Sequence, residues 1–445
     1  MTKDITRLSS QLEESYIASS PRSRQMFEQA TGVMPGAAKG AYYHKPYPLS
    51  MDRGEDCYVW DVDGRRFVDF VNHHTGQIIG HRNPSVMAAI EEQLSKGIVL
   101  GAPVGTEAEL AAEICRRVPS VESVRFTNSG TEATLHIVRL ARGITGRLKI
   151  AKFEGGYHGQ HDAVEISVGP PLDQAGPATA PTAVPQLKGI VPRAVDEIVI
   201  LPYNDPESVQ RLIEQHKDEL ACVMFDPKAG IMPQRPEFAQ FVRQVTADND
   251  ILMVFDEIVG FGTGVGGLQT RFGVKPDLTS FGKVIGGGFP VGAFGGRADL
   301  MERFDVSKGN TSFFQSGTYS GHPVTMAAGL ASMKVLDEAA FAHLEGLGVR
   351  LCAGLNALFK DAGLPAQAVH DGPIFSVHFT TEELLNYRVM SGANKELMLP
   401  SYLMLLEEGY SMCYAMIMSA ISLPMETEHV DGLVGAMGKV LEKLG

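Results

Sequence analysis

Between residues 84 and 325 one pattern repeats: a short apolar run, a helical stretch, then another run, with the runs at 124–126, 149–153, 198–201, 221–225, 251–255 and 278–281. Such alternation constrains the chain to an α/β fold with a mostly parallel central sheet, because parallel strands need long crossovers, and helical crossovers cover both faces of the sheet. Ligands of these sheets sit outside the carboxyl ends of the strands. The residues that follow each run are therefore the first candidates for chemistry.

At 445 residues the chain has room for about two to three units around at least one sizeable core. Residues 1–75 are expected to form an N-terminal segment that packs with the small domain, 76–325 a large domain, and 326–445 a smaller α+β C-terminal domain. In the first of these, residues 10–30 read as an amphipathic helical region broken at Ser20-Pro21. Asp63-Gly64 then joins short strands around 57–60 and 67–70 as a hairpin. The C-terminal part predicts a helix over 323–358, a strand at 374–379, a helix ending near Gly409 and a final helix from His429. The proline-rich segment 168–196 is too long for an ordinary connection and reads as a lid or a contact surface.

Lysine and arginine number 39 against 52 aspartates and glutamates, a net charge of −13, which disfavours phosphate backbones and anionic membranes as partners. Five scattered cysteines with no C-x-x-C pair indicate neither a disulfide framework nor a zinc finger, and a reducing cytoplasm is the simplest home. The N-terminus lacks the apolar core of a secretory signal, and no run of about 18 apolar residues occurs. Neither nucleic acid nor membrane is an expected partner.

Lys283 ends the last apolar run and opens Gly286-Gly287-Gly288, which places it to form a Schiff base with a carbonyl cofactor. Its neighbours Phe281, Val284 and Ile285 suit a lysine whose pKa is lowered by desolvation, and such an amine can attack an aldehyde and later carry a proton. Asp256 ends the run 251–255, where a carboxylate is costly unless it has a partner. A pyridine nitrogen kept protonated by it would make the ring an electron sink; taken singly, Asp256 is equally a helix cap. Glu257 beside it reads as a structural acid.

Asn128-Ser129-Gly130-Thr131-Glu132 follows the first run and opens a helix with apolar positions at Leu135, Val138 and Ile144. The N–H groups of such a start, with the hydroxyls of Ser129 and Thr131, make a phosphate cradle. The spacing from Ser129 to Glu132 is also that of a capping box. Gly155-Gly156-Tyr157-His158-Gly159 follows the second run, so Tyr157 can cover one face of a flat heterocycle while the glycines let the backbone come close. The plainer reading is a half-buried core tyrosine. His158-x-x-His161 lacks further clustered ligands, so no metal is expected. Gly262-x-Gly264-x-x-Gly267 formally matches a dinucleotide fingerprint, but Pro276 cuts off the following helix and the acidic residue about 20 positions on is absent. A flexible loop near the active site is the expectation there.

The segments Phe126-Thr127-Asn128-Ser129-Gly130-Thr131-Glu132-Ala133, Gly156-Tyr157-His158-Gly159, Phe255-Asp256-Glu257, 282–296 and Ser316-Gly317-Thr318-Tyr319 together make the chain resemble the class III, fold type I aminotransferases that depend on pyridoxal 5'-phosphate (PLP). The likeness is strongest to the branch that holds glutamate-1-semialdehyde aminomutase and the β-amino-acid aminotransferases. It implies that Lys283 carries the cofactor, Asp256 pairs with the ring nitrogen, Tyr157 stacks on the ring with His158 beside it, and Ser129, Gly130 and Thr131 hold the phosphate. Thr318 would reach the phosphate of a neighbouring subunit's cofactor, which implies a homodimer with active sites at its interface.

Against the aminomutase branch, Asp226-Pro227-Lys228-Ala229-Gly230-Ile231 stands where Glu-Pro-Val-x-Gly-Asn is usual, and Ser411-Met412-Cys413-Tyr414-Ala415-Met416 replaces a Ser-x-Phe-Glu loop. The arginines that β-amino-acid aminotransferases place near Lys39 and near Tyr414-Ala415 are missing too, and Lys39 offers a point charge without a bidentate fork. With Lys39, Tyr43, Tyr414 and Ala415 as substrate residues among Tyr42, His73, His74, Met412 and Met416, the resemblance implies a ping-pong aminotransferase. The donor would be a bulky hydrophobic amine or aryl β-amino acid, and the acceptor a keto acid, pyruvate or 2-oxoglutarate. An aminomutase or racemase of the same family is the alternative.

Overall fold

A computed structural model describes residues 5–309 and 312–444. Two compact units are present: a larger one of residues 84–341 with 383–392, and a smaller one of residues up to 83, 342–382 and from 393 onward.

Seven strands make the sheet of the larger unit: β1 Ser123–Thr127, β2 Lys149–Phe153, β3 Ile198–Leu201, β4 Leu220–Phe225, β5 Leu252–Asp256, β6 Leu278–Gly282 and β7 Gly292–Gly296. Their order is β1-β7-β6-β5-β4-β2-β3. The run from β3 to β6 is parallel throughout, and β7 is antiparallel to both its neighbours, β1 and β6. Six of the seven lie where the apolar runs predict them. β7 escaped because Gly292-Ala293-Phe294-Gly295-Gly296 has few residues that favour strands. Its glycines answer to contact: a Cβ at Gly292 would collide with the Ser129 carbonyl, and one at Gly296 with the Asp277 carbonyl. A central strand this close to neighbouring backbone admits no side chain at those positions.

The helix Gly130–Thr145 lies over this sheet, with Ile137, Val138, Leu140 and Ala141 packed among Ile150, Ile200, Val254, Leu278 and Phe294. Full burial of a side chain of this size stabilises by about 1.5–3 kcal/mol. The inner stripe runs through Ile137 and Leu140, whereas the expected Leu135 and Ile144 are only half-buried. Gly146 stops the helix in the left-handed region at φ +69, where glycine carries no Cβ penalty.

The Gly262 stretch is not the flexible loop expected. Phe261, Gly262 and Thr263 form a buried 3-10 turn, followed by a short helix Gly267–Arg271. Glu257 pins it by accepting the N–H groups of Leu268 and Gln269 at 3.2 and 2.6 Å. Complete burial pushes the Glu257 carboxyl up to about 8.

In the smaller unit, Met51–Glu55, Tyr58–Asp61 and Arg66–Asp69 form an antiparallel meander, and Tyr410–Ser411 adds to it in parallel. The Asp63-Gly64 turn is formed, with Gly64 at φ +89. A second sheet joins Gln367–Asp371, Ile374–His378 and Ser419–Ala420. The N-terminal helical region breaks at Ser20 into Ile5–Ser19 and Pro21–Thr31. The single helix expected over 323–358 is two, Pro323–Val335 and Glu338–Asp361. Leu336 leaves helical geometry at ψ 71, and the Asp337 carboxylate accepts the N–H of Ala340 at 2.8 Å, which caps the second helix.

Candidate active site

The sheet register gathers the candidates of the larger unit at one edge. Gly292 stands opposite both Thr127 and Gly282, so Ser129 beyond β1 and Lys283 beyond β6 leave the sheet side by side. Asp256, the last residue of β5, stands opposite Ser280 on β6.

Asp256 is buried and held from three directions. His158 Nδ1 lies 2.7 Å from one carboxylate oxygen; the other accepts from the Ser280 hydroxyl at 3.0 Å and from the Ile258 N–H at 3.1 Å. The last of these bonds is the helix cap, so that plainer reading is realised as well. A carboxylate has room for about four donors. Three are filled by the chain, and a protonated ring nitrogen is a donor that suits the fourth. His158 Nε2 is buried with no hydrogen-bonding partner among the described residues. Ser280 is a support the sequence did not single out, although its place directly across from Asp256 follows from the strand pattern.

Lys283 is half-buried rather than enclosed, and its backbone sits in the left-handed region at φ +52. That conformation is strained for any residue with a Cβ and concentrates at functional positions. A 3-10 turn, Lys283–Gly286, then leads to Gly287 and Gly288, at φ +57 and +96.

Ser129 is the cap of helix Gly130–Thr145: its Oγ accepts from the Glu132 N–H at 3.2 Å, while Glu132 Oε2 accepts from the Asn128 N–H at 2.7 Å. The Ser129 half of the expected capping box is thus built, while Glu132 reaches one residue past the cap, to Asn128, and the cradle is left intact. A hydroxyl that accepts through a lone pair still has its proton to donate, so Ser129 can cap the helix and meet a phosphate at once. Thr131 Oγ1 accepts from the Gln160 N–H at 3.2 Å.

Tyr157 is half exposed, and its N–H reaches Asp226 Oδ2 at 3.3 Å. Partial burial, then Glu165, raises its hydroxyl pKa. Burial alone would raise the Asp226 carboxyl, but Lys228, at 3.2 Å, and His158 hold it below the usual range. The next histidine, His161, is pushed down to about 4 by burial and by His158. Among the described residues no three His, Cys, Asp or Glu side chains are grouped to hold a metal. Lys152 went unnoticed in the sequence, although a lysine inside the apolar strand β2 was a visible signal. It is fully buried, and its Nζ donates to the carbonyls of Gly156 and Ile166 at 2.7 and 2.5 Å. Thr318 is exposed on the single chain.

The expected substrate residues lie in the smaller unit, around a cavity of about 560 Å³. Lys39, Tyr42, His73, His74, Met412 and Tyr414 line it; Tyr43, Ala415 and Met416 are not among its lining. Tyr43 packs on Phe27 instead, and Met416 is wholly buried. Met26, Phe27, His44, Tyr402 and the pair Asp69–His81 also line it and were not anticipated. Lys39 Nζ stands 5.2 Å from the centre of the Tyr42 ring. The two histidines are presented by a left-handed turn of four non-glycine residues, Asn72, His73, His74 and Thr75, at φ 42, 51, 51 and 70. Asp69 ties its entry by accepting from the Val71 and Asn72 N–H groups at 2.9 and 3.1 Å, and His81 Nε2 lies 2.8 Å from its other oxygen. The Asn72 amide donates to the carbonyls of Asp69 and Ala420.

Comparison with known proteins identifies the family. The family described as Aminotransferase class-III matches residues 40–439. A glutamate-1-semialdehyde 2,1-aminomutase of Methanocaldococcus jannaschii is 36% identical over 95% of this chain and 98% of its own length. Among solved structures, an omega-transaminase from Sphaerobacter thermophilus is 39% identical with a TM-score of 0.90, covering 94% of this chain and 97% of that one. A beta-phenylalanine aminotransferase from Variovorax paradoxus is 33% identical with a TM-score of 0.89, covering 99% and 98%. The fold is that of the fold type I PLP-dependent transferases, and the chain belongs to the class III aminotransferases, enzymes that work with pyridoxal phosphate.

Proposed function

We propose that this enzyme moves an amino group from a bulky hydrophobic amine or aryl β-amino acid to a keto acid such as pyruvate or 2-oxoglutarate, in two half-reactions. The observation that carries this reading is the lining of the 560 Å³ cavity, where aromatic and aliphatic side chains predominate beside Lys39, the histidines and Asp69, and where no arginine is among the described lining residues. A site without a guanidinium fork has little hold on a second carboxylate, and its aromatic walls favour a large apolar group. Lys39 and Tyr414, which line the cavity, are the proposed residues that select the donor, while Tyr43 and Ala415, outside the lining, would act only through their neighbours.

Bound PLP supplies an aldehyde that condenses with amines and a ring that draws electrons from the neighbouring C–H bond. The chain's own residues do the rest. Lys283 would hold the cofactor, and its amine, once free, would be the base that takes the proton from the donor carbon that bears nitrogen. Asp256, oriented by His158 and Ser280, holds a proton at the ring nitrogen. Tyr157 would cover a ring face with His158 beside it, and Ser129, Gly130 and Thr131 would anchor the phosphate.

A homodimer in which Thr318 serves the partner's cofactor belongs to the same proposal. Support comes from Ile98, Val99, Leu100, Phe314 and Tyr319, large apolar residues between 52% and 69% exposed on the single chain; such surface is commonly covered by a partner. A cytoplasmic location is likewise proposed. No helix among the described residues is long and apolar enough to cross a membrane.

A second reading, an aminomutase that shifts the amino group within one substrate, is favoured over the first by the names of the curated relatives. One assay separates the two. Aryl β-amino acids, hydrophobic amines and glutamate 1-semialdehyde are supplied with and without a keto acid. Product that needs the keto acid and a bulky donor supports the transaminase. Isomerised product without any acceptor supports the aminomutase, and a panel in which only small dicarboxylic or α-amino acids react rejects the hydrophobic-donor proposal.

A further inference from the structure

We infer that Tyr387 and Arg388 form a clasp that positions the face of the cofactor site; the inference rests on the reading that Tyr157 and His158 meet the cofactor. The segment 383–392 groups with the larger unit, although the residues on both sides of it group with the smaller one. Holding such an excursion in place costs conformational entropy, so the contacts it makes have to offset that cost.

They fall on Glu154 and Gly155, just ahead of Tyr157, and on carbonyls of the 170–177 stretch that follows it. Arg388 grips Glu154 with Nε and Nη2, at 3.0 Å each, and spreads its donors over the carbonyls of Ala175, Gly176 and Pro177 at 3.1, 2.9 and 3.3 Å. The Glu154 side chain is only 4% exposed, and a carboxylate so enclosed is strongly unfavourable without its partner. Its N–H donates to the Leu201 carbonyl at 2.9 Å, which keeps it in the sheet. Tyr387 donates its hydroxyl to the Pro170 carbonyl at 2.9 Å. Its ring lies against Gly155, where a Cβ would come within 2.6 Å of it and where φ is +80. Asn386 fixes the clasp in turn, its side-chain oxygen accepting from the N–H groups of Arg388 and Val389 at 3.0 and 3.2 Å.

The strand-to-loop turn that delivers Tyr157 and His158 is thereby held by Lys152 at Gly156 and by Tyr387 and Arg388 at Gly155 and Glu154. His158 passes that placement on to Asp256, so a shift of the turn alters both the ring's stacking and its nitrogen partner. Arg388 and Tyr387 touch neither cofactor nor substrate in this scheme and act as positioning residues.

The test uses the holoenzyme with Arg388→Gln, Arg388→Lys and the milder Tyr387→Phe. Displacements of the order of 1 Å can lower turnover about 100-fold, so kcat should fall about 10- to 100-fold in both Arg388 variants. The circular dichroism of the bound cofactor should change and its dissociation constant rise, while KM for the donor stays within about 2-fold of the parent. Lysine should fail to rescue, because it restores the charge without the fork. Tyr387→Phe should move the same signals less, and it serves as the readout if Arg388→Gln does not fold. Variants that lose thermal stability while keeping the parent's cofactor dichroism, affinity and kcat overturn the clasp. Tyr157→Ala separates the layers: if it leaves the dichroism unchanged, the underlying view of Tyr157 is wrong; if it changes the signal and the Arg388 variants do not, the clasp alone is wrong.

Discussion

The two units solve the placing of functional side chains by different means. In the larger one the candidates are set by which residue ends a strand: Asp256 closes β5, Lys283 follows β6, Ser129 follows β1 and Tyr157 follows β2. In the smaller one His73 and His74 reach the cavity through a left-handed turn of four residues that all carry a Cβ, a conformation that costs about 1–2 kcal/mol for each. Strand ends are cheap and general. A turn of that kind persists only where Asp69, Asn72 and His81 over-determine it. The contrast suggests that the larger unit carries the chemistry and the smaller one the choice of donor.

The largest effect expected on that division is from Lys283→Ala. Proton transfer by a positioned side chain contributes about 10²–10⁴-fold, and loss of the covalent hold adds to it, so turnover should fall by more than about 10⁴-fold. Steady-state and single-turnover assays check this; appreciable remaining activity would reject Lys283 as the catalytic base. Asp256→Asn comes next. It keeps the shape of the side chain but loses the charge opposite the ring nitrogen, and a misplaced electrostatic partner of this kind costs about 10²–10³-fold in kcat. The absorbance of the bound cofactor should change as well.

Asp69→Ala makes the matching test in the smaller unit. Freed from Asp69, the turn loses the oxygen that accepts two of its N–H groups and the hold on His81. KM for a bulky donor should rise about tenfold, equivalent to about 1.4 kcal/mol, with the cofactor's absorbance unchanged. If the variant instead alters the cofactor spectrum as Asp256→Asn does, the separation of chemistry from selection does not hold.

How much of this could be read from the sequence follows the same line. Six strands, the residues at their ends and the Asp63-Gly64 hairpin were legible, because each rests on apolar runs and turn chemistry that act locally. β7 was not, since its glycines are explained only by what Gly292 and Gly296 approach in space. The Gly262 stretch failed for the converse reason: glycines suggest freedom, yet Glu257, fully buried, holds that stretch by two backbone bonds. Nothing in Asn72-His73-His74-Thr75 announces a left-handed turn, and the cavity wall supplied by Met26, Phe27 and Tyr402 depends on tertiary packing. Arg388 is more than two hundred residues from Glu154 in the chain, beyond the reach of any local pattern.

The last expected effect is on stability rather than turnover, and it depends on pH. Burial, then Lys228, pushes Lys152 down to about 7, whereas in the unfolded chain a lysine titrates near ~10.4. Between those values the unfolded chain binds a proton that the folded chain does not, so the larger unit gains stability as pH rises through that window. Glu257 works in the opposite sense and earlier: raised by burial to about 8, it keeps a proton that the unfolded chain has released, and stability falls as pH climbs from the ordinary carboxylate range towards 8. In the smaller unit, burial lowers His44, so its contribution improves as pH rises towards the ordinary histidine value and is lost in acid. Lys152→Met should therefore flatten the rise in Tm between about pH 8 and 10 and leave in place the acid limb, to which His44 and the lowered His161 both contribute. At about 2–4 °C per kcal/mol for units of this size, the change is within reach of scanning calorimetry. A variant that keeps the parent's alkaline rise would mean that Lys152 stays charged between its two carbonyls, and that the turn beneath Tyr157 is held by an ammonium rather than an amine.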